Sequence, residues 1–331
     1  MLTDHLSRVS LAHLPTPLEE LSRLRQALGG GPRLLIKRDD QTGLATGGNK
    51  TRKLEFVVAD ALGQGADTLI TTGGPQSNHS RQTAAAAAKL GLRCVLLLSG
   101  DPPHRADWQG NLLLDALLGA EMRWIGDQDR DIALAETADA LRAEGARPYV
   151  VPLGASIPLG AVGYVAAVEE LATQLAERQT AVDRILIASG SAGTQTGLLV
   201  GIKALGMATR VEGVCDGSDP AILLENIKKL TDETAAFLGL DLYLTDSDFI
   251  LHDQYGQPGY GVITASERKA IRLLAQTEGI ITDPVYTGRT LVGLTDLIRR
   301  GVYAEDETIL FWHTGGVAGL FARTADMLAA D

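Results

Sequence analysis

The stretch Thr68-Leu69-Ile70-Thr71-Thr72-Gly73-Gly74-Pro75-Gln76-Ser77-Asn78-His79 runs from a short apolar segment through a glycine turn into two amides, a hydroxyl and an imidazole. An alanine-rich segment of helical period follows over residues 81–90, and a second apolar run over 93–98. Strand, polar turn, helix and strand make up the unit of an open, mainly parallel α/β sheet, which binds ligands at the carboxyl ends of its strands. The alternation continues outward in both directions. It predicts further strands at 34–37, 121–125, 148–151, 184–188, 210–215 and 308–312. Helices are predicted at 50–62, 109–117, 131–144, 161–178, 195–205, 265–278, 289–299 and 316–329.

With 331 residues the chain can form one large domain or two lobes, and no repeat or Pro/Ser-rich linker marks a division. Its net charge is −11 with no basic block, which argues against nucleic acid or an anionic membrane as partner. The two cysteines, Cys94 and Cys215, have neither CxxC spacing nor a histidine cluster beside them, so neither a disulfide framework nor a bound metal is expected. Met1-Leu2-Thr3-Asp4-His5 lacks an apolar signal core, and no run approaches the ~18 apolar residues of a membrane span. A cytoplasmic location is expected.

Several turns depart from ordinary connections. Gly47-Gly48-Asn49-Lys50-Thr51-Arg52-Lys53 opens a helix, with Asn49 as N-cap, and puts three cations where the helix dipole disfavours them. Either these are solvated surface charges, or an anion lies against that helix end and one lysine is not a free ammonium. Ser189-Gly190-Ser191-Ala192-Gly193-Thr194 joins a strand to a helix with residues small enough for an anion to meet the backbone amides. It lacks the lysine of a nucleotide-triphosphate loop and the G-x-G-x-x-G spacing of a dinucleotide site, which weakens a nucleotide-binding oxidoreductase as a reading. Asp283-Pro284-Val285-Tyr286-Thr287-Gly288 and His313-Thr314-Gly315-Gly316 repeat the polar strand-end theme, with His313 read as a core histidine. Asp39-Asp40 reads as turn and ion-pair structure. A non-catalytic α/β binding module remains open on these residues alone.

Together with Ile36-Lys37-Arg38-Asp39-Asp40 and Pro258-Gly259-Tyr260-Gly261, these motifs resemble, in order, the D-cysteine desulfhydrase and 1-aminocyclopropane-1-carboxylate deaminase family. The resemblance runs from about Leu14 to Phe321. It implies a pyridoxal-phosphate enzyme of the tryptophan-synthase-β-like fold (fold type II), with two open, mainly parallel twisted sheets flanked by helices. It also implies a larger cofactor-binding domain of residues 1–48 and 160–331, a smaller one of 49–159, and an active site in the cleft between them. A homodimer is implied as well.

On this resemblance Lys50 would carry pyridoxal 5'-phosphate as a Schiff base and, once freed, take the Cα proton of a small amino-acid substrate. Lys53 and the amides of Ser191, Ala192, Gly193 and Thr194 would hold the phosphate. Asn78 would meet the phenolic oxygen, Thr314 the pyridine nitrogen, Ser77 the substrate carboxylate, and Tyr260 with Tyr286 would line the reaction face. His79, Ser156 and Thr287 are further substrate-side candidates. Thr287 and Thr314 stand where the deaminase branch has glutamate and leucine, which favours β-elimination over ring opening, and D-cysteine is the expected substrate because its sulfur demands fewer local donors than a sulfonate. The tract from Leu44 to Arg52 also resembles the L-cysteate sulfo-lyase branch, whose leaving group is sulfite. Two positions depart from the family pattern: Ile157 stands where relatives carry an amide, and Arg289 replaces a common lysine.

Overall fold

Apolar runs and helical periods resolve into two sheets in the computed structural model, which describes residues 1–329. The elements in chain order are β1 (Leu18–Glu20), α1 (Ser22–Ala27), β2 (Arg33–Arg38), α2 (Lys50–Gly63), β3 (Thr68–Gly73), α3 (Asn78–Leu90), β4 (Arg93–Ser99) and α4 (Gly110–Leu117). Next come β5 (Glu121–Gly126), α5 (Arg130–Ala143), β6 (Pro148–Val150), α6 (Pro158–Glu177), β7 (Arg184–Ser189), α7 (Gly193–Ala204), β8 (Arg210–Cys215) and α8 (Pro220–Phe237). The last are β9 (Ile250–His252), α9 (Ala265–Glu278), α10 (Thr287–Arg299), β10 (Thr308–His313), α11 (Val317–Phe321) and α12 (Thr324–Leu328).

One sheet has the order β1-β2-β10-β7-β8-β9 and the other β5-β4-β3-β6. Every strand pairing within them is parallel except β1 with β2. Parallel sheets are covered on both faces, and the side-chain period of two divides the core accordingly. On β10, Leu310 and Trp312 pack with Tyr164 and Leu198 on one face, while Ile309 and Phe311 pack with Leu34 and Leu294 on the other. On the second sheet Leu69, Leu96 and Leu98 face one way and Ile70, Val95 and Leu97 the other.

A buried polar cluster ties the two sheets together at the start of α2. Arg52, 1% exposed, meets Asp39 at 2.8 Å and Glu170 at 2.9 Å. Asp39 also accepts from Tyr164 Oη (2.6 Å), Trp312 Nε1 (2.8 Å) and Thr16 Oγ1 (2.9 Å). Burial, the largest influence, would raise its carboxyl, but Arg52, Lys37 and Tyr164 together outweigh that and hold it below its usual range. Helix α6 lies so close that a Cβ on Gly163 would come within 2.4 Å of the Arg52 carbonyl oxygen. The solvated-cation reading of the Lys50–Lys53 turn is therefore overturned for Arg52 and Lys53, both buried.

Four elements were not anticipated. Strands β1 and β9 have three residues each and α1 six, too short to show a period. Helix α8 carries its own start signal, with Asp219 accepting from Ala221 N and Ile222 N and Pro220 in the first turn. The expected helix over 316–329 is broken between Phe321 and Thr324, and α12 buries no residue that could hold it in line with α11.

Replacing Asp39 by Asn leaves Arg52 with the partly exposed Glu170 as its one carboxylate partner instead of two. A loss of about 3–5 kcal/mol is expected, read from the denaturant midpoint at unchanged slope. A loss under ~1 kcal/mol would show that the cluster does not hold the sheets together.

Candidate active site

A cavity of about 540 Å³ lies between the sheets. Its wall comes from strand ends and helix first turns: Gly73, Ser77, Asn78 and His79 after β3, Ser99 after β4, Gly154 after β6, Ala188 to Ala192 and Thr194 after β7, Asp216 after β8, and Thr314 after β10. Lys50, Arg130, Tyr260 and Tyr286 line it as well.

Lys50 stands at the first position of α2, and its Nζ makes no hydrogen bond or ion pair among the described residues. Burial lowers its ammonium to about 8, with Asp216 pulling the other way. Asn49 does not cap the helix as expected; its Nδ2 donates across to Thr194 Oγ1 at 3.0 Å. Lys53, fully buried, donates to the Gly154 carbonyl (3.1 Å) and Ser156 Oγ (3.5 Å), with no ion pair to a carboxylate among the described residues. Burial, and then Lys50, push its amine well below the usual range. It sits behind the turn that starts α7, where a Cβ on Gly193 would come within 2.8 Å of Nζ. That helix has no side-chain cap. A buried cation without a counter-ion, behind an uncapped helix start, is the electrostatic complement of a phosphate.

Asn78 Oδ1 accepts from Asn111 Nδ2 at 3.0 Å and Arg81 Nη1 at 3.4 Å, which leaves the amide donors of Asn78 for the cavity. Ser77 caps α3 by accepting from Ser80 N, so its own proton stays free to donate. Thr314 lines the cavity at 7% exposure.

Three expected substrate contacts are placed differently. The Thr71 hydroxyl gives its proton to the Val151 carbonyl (2.7 Å), so it must accept from His79 Nε2 (2.8 Å). His79 borders the cavity, but burial keeps it neutral and its Nδ1 is a bare acceptor, unfit to bind an anion. Ser156 lies with Ser191 (2.9 Å) and Lys53 on the anion side, outside the cavity lining. Thr287 is fully buried behind the wall and donates to Asp283 Oδ1 at 2.6 Å. Ile157 packs on the second sheet's core, and His313 is a core histidine, 0% exposed.

The Tyr260 and Tyr286 hydroxyls meet at 2.5 Å. Burial raises both phenols above their usual value, so both keep their protons at neutral pH. One proton lies in the shared contact and the other is free to donate. Two charged cavity residues went unnoticed in the sequence. Asp216, whose Oδ1 accepts from Ser218, has a carboxyl raised chiefly by burial. Arg130, the first residue of α5, reaches Ser99 Oγ at 3.3 Å.

A family model described as pyridoxal-phosphate dependent enzyme matches residues 9–315. The chain belongs to this family. It is 46% identical over 319 residues to a D-cysteine desulfhydrase of Klebsiella pneumoniae subsp. pneumoniae, covering 95% of each chain. A 1-aminocyclopropane-1-carboxylate deaminase of Burkholderia multivorans is 41% identical over 336 residues, covering 98% of each. The crystal structure of an ACC deaminase homologue superposes with a TM-score of 0.91 at 40% identity, covering 99% of this chain and 97% of that one. As a pyridoxal-phosphate dependent enzyme the protein needs an amine to carry the cofactor and a site for its phosphate. Lys50 and the Lys53 to Thr194 cradle fit these needs in charge and placement.

In cofactor-free protein the Lys50 amine is expected to titrate near 8, read by NMR of isotopically methylated lysines and assigned with Lys50→Arg. Its neutral fraction rises as pH climbs from 7 to 9. A value near the ordinary 10.4 would contradict the burial argument.

Proposed function

We propose that the protein is a β-eliminating lyase that releases hydrogen sulfide from D-cysteine and yields pyruvate and ammonia. One observation carries the reading: a single cavity holds a neutralisable amine and a pair of protonated phenols. Bound pyridoxal phosphate would act as the electron sink for charge developing at the substrate's Cα. Lys50 Nζ, with its lowered affinity for protons, takes the Cα proton. The phenols cannot serve as that base, because both are held protonated. Their free hydroxyl donates a hydrogen bond to the sulfur as the Cβ–S bond breaks. The liberated 2-aminoacrylate takes up water to give pyruvate and ammonia.

Lys53, Ser156, Ser191, Ala192, Gly193 and Thr194 hold the phosphate in this reading, Asn78 and Thr314 the ring, and Ser77 the substrate carboxylate. The larger domain is taken as residues 1–48 and 160–331 and the smaller as 49–159, supported by sheet membership, since β3 to β6 form one sheet and the other strands the second. A cytoplasmic homodimer belongs to the same proposal; among the described residues no helix is long and apolar enough to cross a membrane. Arg130 favours a second reading, sulfite release from L-cysteate, because it sets a guanidinium at the cavity where a sulfonate needs donors. Asp216, on the same wall, opposes an added negative charge.

Turnover of D-cysteine, L-cysteine, L-cysteate, β-chloroalanine and aminocyclopropane carboxylate, read as pyruvate or 2-oxobutyrate, tests the assignment. D-cysteine is expected to give the highest kcat/KM. A hundredfold preference for cysteate, roughly 2.7 kcal/mol, that vanishes in Arg130→Ala would establish the second reading instead. Lys50→Ala should abolish turnover while the protein stays folded. Lys53→Met should weaken cofactor binding about ten- to hundredfold, the worth of a charge-assisted hydrogen bond of ~1.5–3 kcal/mol, and equilibrium dialysis at unchanged affinity would remove Lys53 from the phosphate site.

A further inference from the structure

Arg289 lies on α10 three residues beyond Tyr286 and is 1% exposed. Its Nε donates to Glu267 Oε1 at 3.2 Å. Nη1 donates to the carbonyls of Asp216 (2.5 Å), Gly259 (3.2 Å) and Gly256 (3.3 Å), and Nη2 to that of Val262 (2.8 Å). Three of these acceptors bracket Tyr260 in the chain, and the fourth is the backbone of the cavity residue Asp216. Glu267 passes the restraint on, since its other oxygen accepts from Thr264 N (2.8 Å) and Oγ1 (2.5 Å), where the segment enters α9.

The segment itself has little to hold it. Its internal bond from Val262 N to the Gly259 carbonyl is long, 3.4 Å. The Tyr260 residue is 56% exposed, so packing does not fix it. Its backbone passes close to Gly217, where a Cβ would come within 2.4 Å of Tyr260 N. Yet its hydroxyl keeps a 2.5 Å contact with Tyr286, which sits at the N-cap of the same helix as Arg289.

We propose that Arg289 is a positioning residue: its guanidinium clamps the Gly256 to Val262 segment to α10 and so sets Tyr260 against Tyr286 over the cavity. A lysine keeps the charge but has one nitrogen, which cannot span carbonyls on both sides of Tyr260 and Glu267 as well. The inference rests on the reading of the tyrosine pair as the proton donor.

The holoenzyme is compared with Arg289→Lys, Tyr260→Phe and the double variant, using D-cysteine, with amide hydrogen exchange measured alongside. Arg289→Lys is expected to lower kcat about ten- to hundredfold with KM little changed, the cost of a misplaced group. Exchange should rise over residues 256–263 while β2, β7 and β10 keep their protection. In the Tyr260→Phe background the same change should cost less than about threefold, because its effect runs through Tyr260. Independent, multiplicative losses, or unchanged kcat and exchange, overturn the clamp. If Tyr260→Phe alone retains parental kcat, the tyrosine reading fails, and the clamp is then judged on exchange: a rise confined to 256–263 supports it and no rise overturns it. Should Arg289→Lys not fold, Glu267→Gln is expected to give the same local rise in exchange with a smaller fall in kcat, and parental values in both would overturn the proposal.

Discussion

The Arg52 guanidinium, held between Asp39 and Glu170 with almost no access to water, is the interaction on which the rest of the structure depends. Its partners come from the end of β2 and from α6, and Asp39 is shared with Trp312 of β10. The start of α2 is thereby fixed against the first sheet, although its later residues Leu54, Val57 and Val58 pack on the second. Lys50 and Lys53 flank Arg52 in sequence, so their placement follows from its anchoring. Ion pairs of this kind rarely add net stability over an apolar substitute, but losing one partner strands the other, which makes the geometry close to obligatory.

The cavity inherits a particular electrostatic character from that arrangement. The chain carries a net charge of −11, yet Lys53 is buried without a counter-ion among the described residues and burial lowers the Lys50 ammonium to about 8. An anionic group brought to the α7 turn would satisfy Lys53 and the uncapped amides together. Opposite it, burial keeps two phenols protonated. A lysine whose hold on its proton is weakened by burial, beside phenols that keep theirs, can remove one proton and supply another at a single pH. Arg289 adds the mechanical side, since the tyrosine that projects from an exposed segment is only as well placed as the carbonyls beside it.

Much of this was legible in the sequence, because parallel strands buried on both faces read as apolar runs and the motif residues cluster at their ends. Predicted helix starts fell two or three residues late at α3, α6, α7 and α10, for a shared reason. Ser77-Asn78, Pro158, Gly193 and Thr287-Gly288 are poor helix formers, yet they occupy first turns whose free amides and side chains face the cavity or its supports. Thr287 was misplaced because its motif says that it lies near the cavity but not which way its hydroxyl turns, and Asp283 claims that hydroxyl. Asp216 and Arg130 stood in turns without any motif, and only the convergence of β8 and α5 on the cavity brings them in. The clamp by Arg289 depends on carbonyl directions, which no side-chain pattern encodes.

The central claim is that Lys50, on the cavity wall with its ammonium lowered by burial, is the amine that carries the cofactor. Borohydride reduction of the purified holoenzyme, followed by peptide mass mapping, tests it directly. The account predicts loss of the visible absorption band and a single pyridoxyl-phosphate adduct on the peptide containing Lys50. An adduct on Lys53 or any other lysine, with Lys50 unmodified, would contradict it.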